Sequence, residues 1–322
     1  MIEAAMRPIA LLTILVVLLS AQLAMPQSDD ETPIKVNTLL AHVPVIVSDK
    51  TGKHVPGLTP KDFKITSGGN PKEIVYFSDA EMPLNVAIVL DETGSVTSVL
   101  SSIRRAAKDY VDQLGPNDNC MVVTFGDKVN VRQPLTSDKK RLAGKIRGIM
   151  GISGGIGLMN EAVLQVVQKE FADVKGRKAI ILLTDAGEIN KGSTPKMLDE
   201  LIEGDTVIYP IYYPTMHPWF RGGGAMLSDL IRETPVGTLN DVATFTGGRL
   251  LVADGKDFGP QFQIIMDELK KMYVLGFYPE ESSDGTPNRI TMDTVRQDLV
   301  LRTKKHIRPR TNLGDSIPTK KY

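Results

Sequence analysis

The spacing of hydrophobic and polar residues divides the chain into three stretches, and the first consists of short strands. Between residues 36 and 77, alternating apolar runs are interrupted by turn signals at Asp49-Lys-Thr-Gly52 and Gly68-Gly-Asn70. This alternation is typical of β-strands joined by tight turns. Thr59-Pro-Lys-Asp62 combines a hydroxyl cap, a proline at the first helical position and an acid three residues later, which predicts one helical turn. The predicted strands are 43–47, 63–66 and 74–77.

From about residue 85 the pattern changes to continuous apolar runs that alternate with helical spacing. Val86–Leu90 and Ala179–Leu183 have no polar face, and an aspartate follows each within two residues. A strand that is apolar on both faces belongs in a parallel sheet covered by helices. Repeated β-α units predict an α/β fold with a doubly wound, mostly parallel sheet. The other elements predicted here are helices at 99–114, 137–149, 160–171, 194 onward, 239–245 and 258–272, and strands at 120–125, 206–212 and 249–252.

Strand patterns return after the last helix, at 273–278, 289–292 and 299–302. A sheet built from one flank alone would be small and marginal, so we expect the two flanks to pair into one small β-rich domain. The predicted organisation is a signal peptide at 1–27, an N-terminal β-rich flank at 33–80, the α/β domain at 83–272, a C-terminal β-rich flank at 273–310 and a tail at 311–322.

The first residues have the layout of a secretory signal peptide. Arg7 precedes the apolar run Ile9–Leu19, and small residues then lead to the acidic stretch Ser28-Asp-Asp-Glu31. The run is shorter than the roughly 20 apolar residues that cross a bilayer. We therefore expect an extracytoplasmic protein, periplasmic or secreted, with no stable membrane insertion after cleavage. Since Glu3 offsets the charge of Arg7, an uncleaved N-terminal anchor is the alternative.

The amino-acid composition argues against one class of partner and indicates how the fold is stabilised. The chain has 322 residues with 38 Lys and Arg against 38 Asp and Glu, and this balance argues against nucleic acid, whose binding draws on an excess of basic residues. The basic residues near the end, Lys304, Lys305, Arg308 and Arg310, are predicted to lie in a solvated strand and tail. Cys120 is the only cysteine and lies in an apolar run. We predict that it is buried and that packing, without disulfides, stabilises the fold.

Oxygen-bearing side chains follow two of the predicted parallel strands. Asp91, Thr93 and Ser95 alternate in the loop after the first strand, and Asp185 follows the second. Ligands of open α/β sheets bind at the carboxyl ends of the strands, where these oxygens would face one point. Hard oxygen ligands suit Mg²⁺, or Mn²⁺ as the alternative. A purely structural alternative is that Asp91 and Ser95 cap the following helix and that Asp185 forms a turn.

These segments resemble the metal-ion-dependent adhesion site of the von Willebrand factor type A family. That site uses an Asp-x-Ser-x-Ser loop, a threonine in a Gly-Gly-Thr loop and an aspartate in a Thr-Asp-Gly turn. The resemblance implies a metal site formed by Asp91, Thr93, Ser95 and Asp185. It also implies a protein partner that supplies an acidic side chain to the ion. In Gly154-Gly-Ile156 the family's threonine falls on isoleucine, which cannot coordinate a cation, so the site is degenerate and Mg²⁺ binding is either weakened or lost.

Two further segments, Val45 to Phe63 and Tyr273-Val-Leu-Gly-Phe-Tyr278, resemble the exported subgroup known as acidobacterial von Willebrand factor A-related proteins. This resemblance covers nearly the whole mature chain. It implies the type A fold and an extracytoplasmic location, and it offers no common activity that can be carried over to residues.

A long segment at 214–235 leaves the same predicted sheet edge as Asp91 and Asp185. It contains the only tryptophan, Trp219, with Arg221 close by and a run of three glycines. Trp and Arg are frequent among binding hot spots, so we predict that Trp219 and Arg221 contact the partner. The alternative is a connector whose tryptophan packs back on the body of the protein.

We therefore expect an exported binding or adhesion-type module that is not an enzyme. The runner-up is a metal-independent scaffold or assembly protein that uses the same fold structurally. A serine hydrolase is less favoured. Gly151-Ile-Ser153-Gly-Gly155 matches the Gly-x-Ser-x-Gly elbow, but the residues before it have a helical pattern, where the elbow requires a buried strand.

Overall fold

A computed structural model of the chain describes residues 40–79, 82–151, 157–187, 194–215, 235–254, 256–280 and 286–308. The predicted signal peptide at 1–27 and the predicted tail at 311–322 lie outside these residues. Within the described ranges, no helix has both the length and the apolar character needed to cross a membrane.

The strands and helices of the described ranges follow the predicted order. The strands are β1 Ala41–Asp49, β2 Phe63–Ser67, β3 Asn70–Lys72, β4 Tyr76–Ser78, β5 Leu84–Asp91, β6 Asn119–Phe125, β7 Val129–Thr136, β8 Arg177–Thr184, β9 Val207–Tyr212, β10 Leu251–Val252, β11 Tyr273–Phe277, β12 Asn288–Thr294, β13 Leu299–Thr303 and β14 His306–Ile307. The helices are α1 Leu100–Asp112, α2 Lys139–Arg147, α3 Met159–Gln165, α4 Thr194–Leu201, α5 Pro235–Thr246 and α6 Gly259–Lys270. Shorter turns are the 3-10 turns Pro60–Asp62 and Gly94–Ser98, and the π-helical turn Val166–Glu170.

The centre of the molecule is a six-stranded sheet in the order β10-β9-β8-β5-β6-β7, in which every neighbouring pair except β6 with β7 is parallel. Strand β5 is buried along its whole length. Val86, Ile88 and Leu90 pack with α1, α2 and α6, whereas Ala87 and Val89 pack with α3, α4 and α5. The predicted doubly wound, mostly parallel sheet is confirmed, and Cys120 is fully buried in it as expected.

Strand β7 is the element of this sheet that the pattern does not predict. It runs antiparallel to β6 at the sheet edge, with a register shift near Val122. Most of its side chains are only half-buried. An edge strand with one wet face carries polar residues such as Arg132 and Gln133, and so it lacks the apolar signal of the central strands.

The two flanks pair with each other, as predicted, and they form two antiparallel sheets of four strands. One has the order β13-β1-β11-β4 and the other β14-β12-β2-β3, so each contains strands from both ends of the chain. Residues of the two sheets share a core that includes Val45, Phe63, Ile65, Leu275 and Ile290. All described residues belong to one compact unit that begins at Thr38, and the domain boundaries at 80–83 and 272–273 stay predictions.

The prediction of a solvated basic segment near the end is wrong for Lys304, which is 3% exposed. Its ammonium group donates hydrogen bonds to the carbonyl oxygens of Ile202 at 2.7 Å and Gly204 at 2.5 Å. Lys305 is exposed as expected, and Arg308 pairs with Asp199 and Glu203. The carbonyls lie about a hundred positions away in the chain, so the local charge pattern cannot reveal them. Arg310 lies outside the described residues.

Replacing Lys304 by methionine tests this link between the C-terminal flank and the α/β body. The change keeps the aliphatic stem but leaves two carbonyls without their charged donor, so we expect Lys304→Met to lower the free energy of unfolding by about 2–3 kcal/mol. Urea denaturation measures the difference. Lys305→Met, at the exposed neighbouring position, should have little effect, and equal losses in the two variants would contradict the expectation.

Candidate functional site

Asp91 and Asp185 lie at the same edge of the central sheet. Asp91 is the last residue of β5, and Asp185 directly follows β8. These two strands are parallel neighbours, paired from Leu84 with Arg177 to Leu90 with Leu183. Because parallel strands end at one edge, the polar residues that follow them come together there.

Asp91 is held by its own loop and by the neighbouring strand. It is 5% exposed. Its Oδ1 accepts a hydrogen bond from the Thr93 backbone N–H at 2.8 Å, and its Oδ2 accepts one from the Thr184 hydroxyl at 3.3 Å. The hydroxyls of Thr93 and Ser95 lie 3.1 Å apart, with Thr93 buried and Ser95 exposed. We call the set Asp91, Thr93, Ser95 and Asp185 the rim cluster.

Asp185 is fixed by a tight turn. Its Oδ1 accepts a hydrogen bond from the Gly187 N–H at 3.1 Å, and its Oδ2 accepts one from the Thr215 hydroxyl. Ala186 has φ 60, a left-handed conformation that costs an L-residue about 1–2 kcal/mol and that glycine adopts freely. In Thr184-Asp185-Ala186 the alanine stands where the resemblance to a Thr-Asp-Gly turn places glycine. Ala186 N–H also donates to the Thr184 hydroxyl at 3.0 Å, which connects this turn to Asp91.

Asp91 is hard to ionise in this position. Burial raises the pKa of Asp91 to about 6, the hydrogen bonds from Thr93 oppose this rise, and the negative charge of Asp185 adds to it. Neither aspartate forms an ion pair with a described lysine or arginine. A buried carboxylate without a cation is costly to ionise, so the rim cluster is an acidic centre whose charge the described residues leave unbalanced.

Glu92 has the opposite environment, although it is the next residue. It is 2% exposed, and its Oε1 forms an ion pair with Arg132 of β7. The Arg132 Nε–H donates a hydrogen bond to the Thr124 hydroxyl at 3.0 Å. The Glu92 backbone N–H donates to the Phe125 carbonyl at 2.9 Å. These contacts anchor the start of the loop to β6 and β7.

Tyr213 is a second residue near the site that the sequence does not predict. It is fully buried one position after β9, and its backbone N–H donates to the Thr184 carbonyl at 3.4 Å. Its ring packs edge-on against Phe258, with the centroids 5.4 Å apart. Burial and the charges of Asp91 and Asp185 raise its pKa well above the usual value. The only signal for Tyr213 is its register with Asp185, which is visible once β8 and β9 are paired.

The alternative that Asp91 and Ser95 cap the following helix is wrong. A 3-10 turn at Gly94–Ser98 follows the loop, and α1 begins only at Leu100, after a cap residue, Val99, that makes no side-chain cap bond. Asp185 does form a turn through Gly187, as the structural alternative for that residue expects. The strand ends place Asp91 and Asp185 at one edge of the sheet, and Thr93 and Ser95 lie in the loop that follows Asp91. That these four residues form a metal site stays a prediction.

Other predicted site residues lie outside the described ranges. They are Ile156 of the middle loop, Trp219 and Arg221 of the predicted partner-binding segment, and Ser153 of the hydrolase motif. The residues before the hydrolase motif include α2 at Lys139–Arg147, and no strand lies between α2 and Gly151. The structural context required for a nucleophile elbow is therefore missing there.

Residues 85–219 match the family model of the von Willebrand factor type A domain. The chain contains a von Willebrand factor type A domain. The family resemblance of the sequence is thereby confirmed, and membership of the acidobacterial exported subgroup stays a prediction. Among curated proteins, no sequence matches this chain.

Solved structures with similarity to the chain include three type A proteins. The conserved hypothetical protein BatB from Bacteroides thetaiotaomicron has 18% identity, covers 58% of this chain and 98% of its own, and gives a TM-score of 0.47. A von Willebrand factor type A protein from Catenulispora acidiphila has 11% identity, with coverage of 84% and 74% and a TM-score of 0.47. Proximal thread matrix protein 1 from the mussel byssus, with a zinc-occupied MIDAS motif, has 22% identity, coverage of 62% and 48%, and a TM-score of 0.45.

The donors in the rim cluster of this type A domain fit a hard divalent cation. All are oxygen atoms, two from carboxylates and two from hydroxyls, which is the donor type that Mg²⁺ and Mn²⁺ prefer. The described ranges contain no group of three or more His, Cys, Asp or Glu side chains suited to a metal. A cation at the rim would therefore depend on the Thr93 and Ser95 hydroxyls and on water, in addition to the acidic pair.

The raised pKa of Asp91 predicts a pH dependence of stability in the presence of a chelator. Folded Asp91 holds its proton to about pH 6, whereas the unfolded residue loses it near 3.8. The stabilisation that comes from protonated Asp91 is therefore fully present below pH 3.8. It is lost as the pH rises to about 6, which lowers the free energy of unfolding by about 3 kcal/mol. Urea denaturation of wild type and Asp91→Asn between pH 4 and 8 isolates this group, since other titrations cancel. A difference between the two proteins that is independent of pH would contradict the assignment.

The Glu92–Arg132 pair predicts a large cost for removing the cation alone. Arg132→Met leaves a charged carboxylate almost fully buried, so we expect the free energy of unfolding to fall by about 3 kcal/mol. Glu92→Gln combined with Arg132→Met removes both charges and should recover most of the loss. Chemical denaturation of wild type, both single variants and the double variant measures the coupling. Strictly additive effects would mean that the pair does not act as a unit.

Proposed function

We propose that the protein is an exported module that binds a protein partner through a divalent cation at the rim cluster. One observation carries this proposal: Asp91 and Asp185 lie at the ends of two neighbouring parallel strands, and no described lysine or arginine forms an ion pair with either. Arg132 is near, but its ion pair is with Glu92. A positive charge from solution is the natural complement of this unbalanced acidic pair.

The chain's own residues would hold the cation and leave room for a partner. Asp91 and Asp185 supply negative charge, and the adjoining hydroxyls of Thr93 and Ser95 supply neutral oxygen. When bound, the cation supplies positive charge that accepts an acidic side chain of the partner. Ser95 is exposed, so an approaching side chain has access from the loop side. We extend the proposal to Trp219 and Arg221 as further partner contacts.

Export is the part of this proposal that rests on the first residues. The short apolar run Ile9–Leu19 with small residues after it supports an extracytoplasmic location. Mg²⁺ is abundant outside and inside cells, so cation binding does not depend on the compartment. An uncleaved segment would tether the same module to the membrane surface.

A metal-independent scaffold is the second candidate, and Ile156 favours it. The family's threonine in the middle loop would add one more oxygen, and isoleucine offers none. Mg²⁺ keeps its water shell tightly unless protein oxygens replace it well. In this case the fold would present a binding surface elsewhere, and the rim cluster would contribute only to the loop structure.

Cation linkage separates the two candidates. If the rim cluster binds Mg²⁺, an excess of about a hundredfold over the Kd stabilises the fold by about 2.7 kcal/mol, so the Tm should rise by several degrees. Asp91→Ala should abolish that rise and the heat of Mg²⁺ or Mn²⁺ binding in calorimetric titration. Asp173→Ala, at an exposed position before β8, should leave both unchanged. A wild-type protein with neither response would favour the scaffold.

A further inference from the structure

We infer that Tyr213 is a positioning residue of the rim cluster, with a hydroxyl that supplies a hydrogen bond to the shell of carboxylates and water around the bound cation. This inference rests on the proposed cation site. It deepens that proposal by naming a residue outside the four ligand positions, directly after β9, a strand that carries none of them.

Strand register places Tyr213 beside Asp185. Strands β8 and β9 are parallel, with Leu183 paired to Ile211 and Thr184 paired to Tyr212. One step further along the same register are Asp185 and Tyr213. Side chains alternate between the faces of a sheet, and Tyr213 packs in the same core cluster as Leu183 and Ile211. Tyr213 therefore belongs to the face that Asp185 shares.

The hydroxyl of Tyr213 is buried and has no hydrogen-bond partner among the described residues. Buried phenol hydroxyls usually find a partner, because an unpaired polar group in the interior is costly. The ring is kept in place by Phe258, and the backbone is bonded to Thr184. An unpaired hydroxyl on a fixed ring indicates that a water molecule or an ion completes its surroundings.

The neighbouring charges fit a hydrogen-bond donor. Asp91 and Asp185 are acceptors when ionised, and each carboxylate has more acceptor sites than the hydrogen bonds that it receives from described groups. Tyr213 stays protonated near them, because burial and their negative charge disfavour the phenolate. The Tyr213 hydroxyl is thus a donor on the same face of the sheet as the Asp185 carboxylate, which has acceptor sites to spare.

Tyr209 provides a comparison in β9, the strand that directly precedes Tyr213. It is also fully buried in β9, and its hydroxyl lies beside the Glu268 carboxylate. It precedes Tyr213 by four residues, about 13 Å along an extended chain, and the charged groups near it are Glu268, Arg302 and Arg249. Removing either hydroxyl deletes one buried oxygen, but only Tyr213 lies near the rim cluster.

The test is calorimetric titration of the full chain with Mg²⁺ and Mn²⁺ for wild type, Tyr213→Phe, Tyr209→Phe and Asp91→Ala. Loss of an outer-shell hydrogen bond typically weakens metal binding about tenfold or more, so we expect that loss for Tyr213→Phe and a change within about twofold for Tyr209→Phe. The melting temperature is measured in EDTA and in Mg²⁺ for each protein. A positioning role reduces the increment that Mg²⁺ produces, whereas a purely structural role shifts both temperatures together.

Each outcome decides between the inferences. If Tyr213→Phe binds Mg²⁺ as wild type does while Asp91→Ala does not bind, the role of Tyr213 is overturned and the cation site stands. Equal weakening in both phenylalanine variants also overturns it, since the effect would then be one of packing. If wild type binds neither ion, both the proposed cation site and the role of Tyr213 are wrong.

A measurement on wild-type Tyr213 tests the inference even if the Tyr213→Phe variant fails to fold. A hydroxyl that hydrogen-bonds in the cation's shell should change its near-ultraviolet absorption when Mg²⁺ is added to wild type. Tyr209→Phe should keep this difference spectrum, and Asp91→Ala should lose it. Absence of a tyrosine difference spectrum in a wild type that binds Mg²⁺ by calorimetry would overturn the inference without use of the Tyr213 variant.

Discussion

Burial of β5 on both faces is the constraint on which the rest of the structure depends. A strand with apolar side chains on each side must be covered by helices twice over, and α1, α2 and α6 cover one face while α3, α4 and α5 cover the other. Polar residues can then appear only where the strand ends. This forces Asp91 to the sheet edge, and the same logic in β8 brings Asp185 beside it.

Asp91 and Glu92 are adjacent acids at that edge, but their surroundings differ: one is ion-paired and the other is not. Glu92 receives the guanidinium of Arg132 and serves to anchor the loop. Asp91 receives only hydrogen bonds from neutral groups, and its pKa rises. A second basic side chain could neutralise Asp91 as Arg132 neutralises Glu92. Because no described residue does so, a positively charged ligand could balance the charge of Asp91.

Strand ends were predictable from the sequence because they depend on local pattern. The apolar run Val86–Leu90 predicts a strand that is buried on both faces, and the polar residue that follows it must therefore lie at the edge of the sheet. Tyr213, Arg132 and Lys304 were not predictable, because each acquires its role from a strand or loop brought near by tertiary pairing. The edge strand β7 was missed for a related reason, since its half-buried polar residues have no apolar period to detect.

The flanking sheets are attached at the end of the α/β body opposite to the rim. Lys304 donates hydrogen bonds to the carbonyls of Ile202 and Gly204 just before β9 begins, and Arg308 forms ion pairs with Asp199 and Glu203, which also precede β9. Both contacts lie at the amino-terminal edge of the parallel strands, whereas Asp91 and Asp185 lie at the carboxyl-terminal edge. The charged contacts that join the C-terminal flank to the body and the acids of the rim cluster therefore lie at opposite edges of the central sheet.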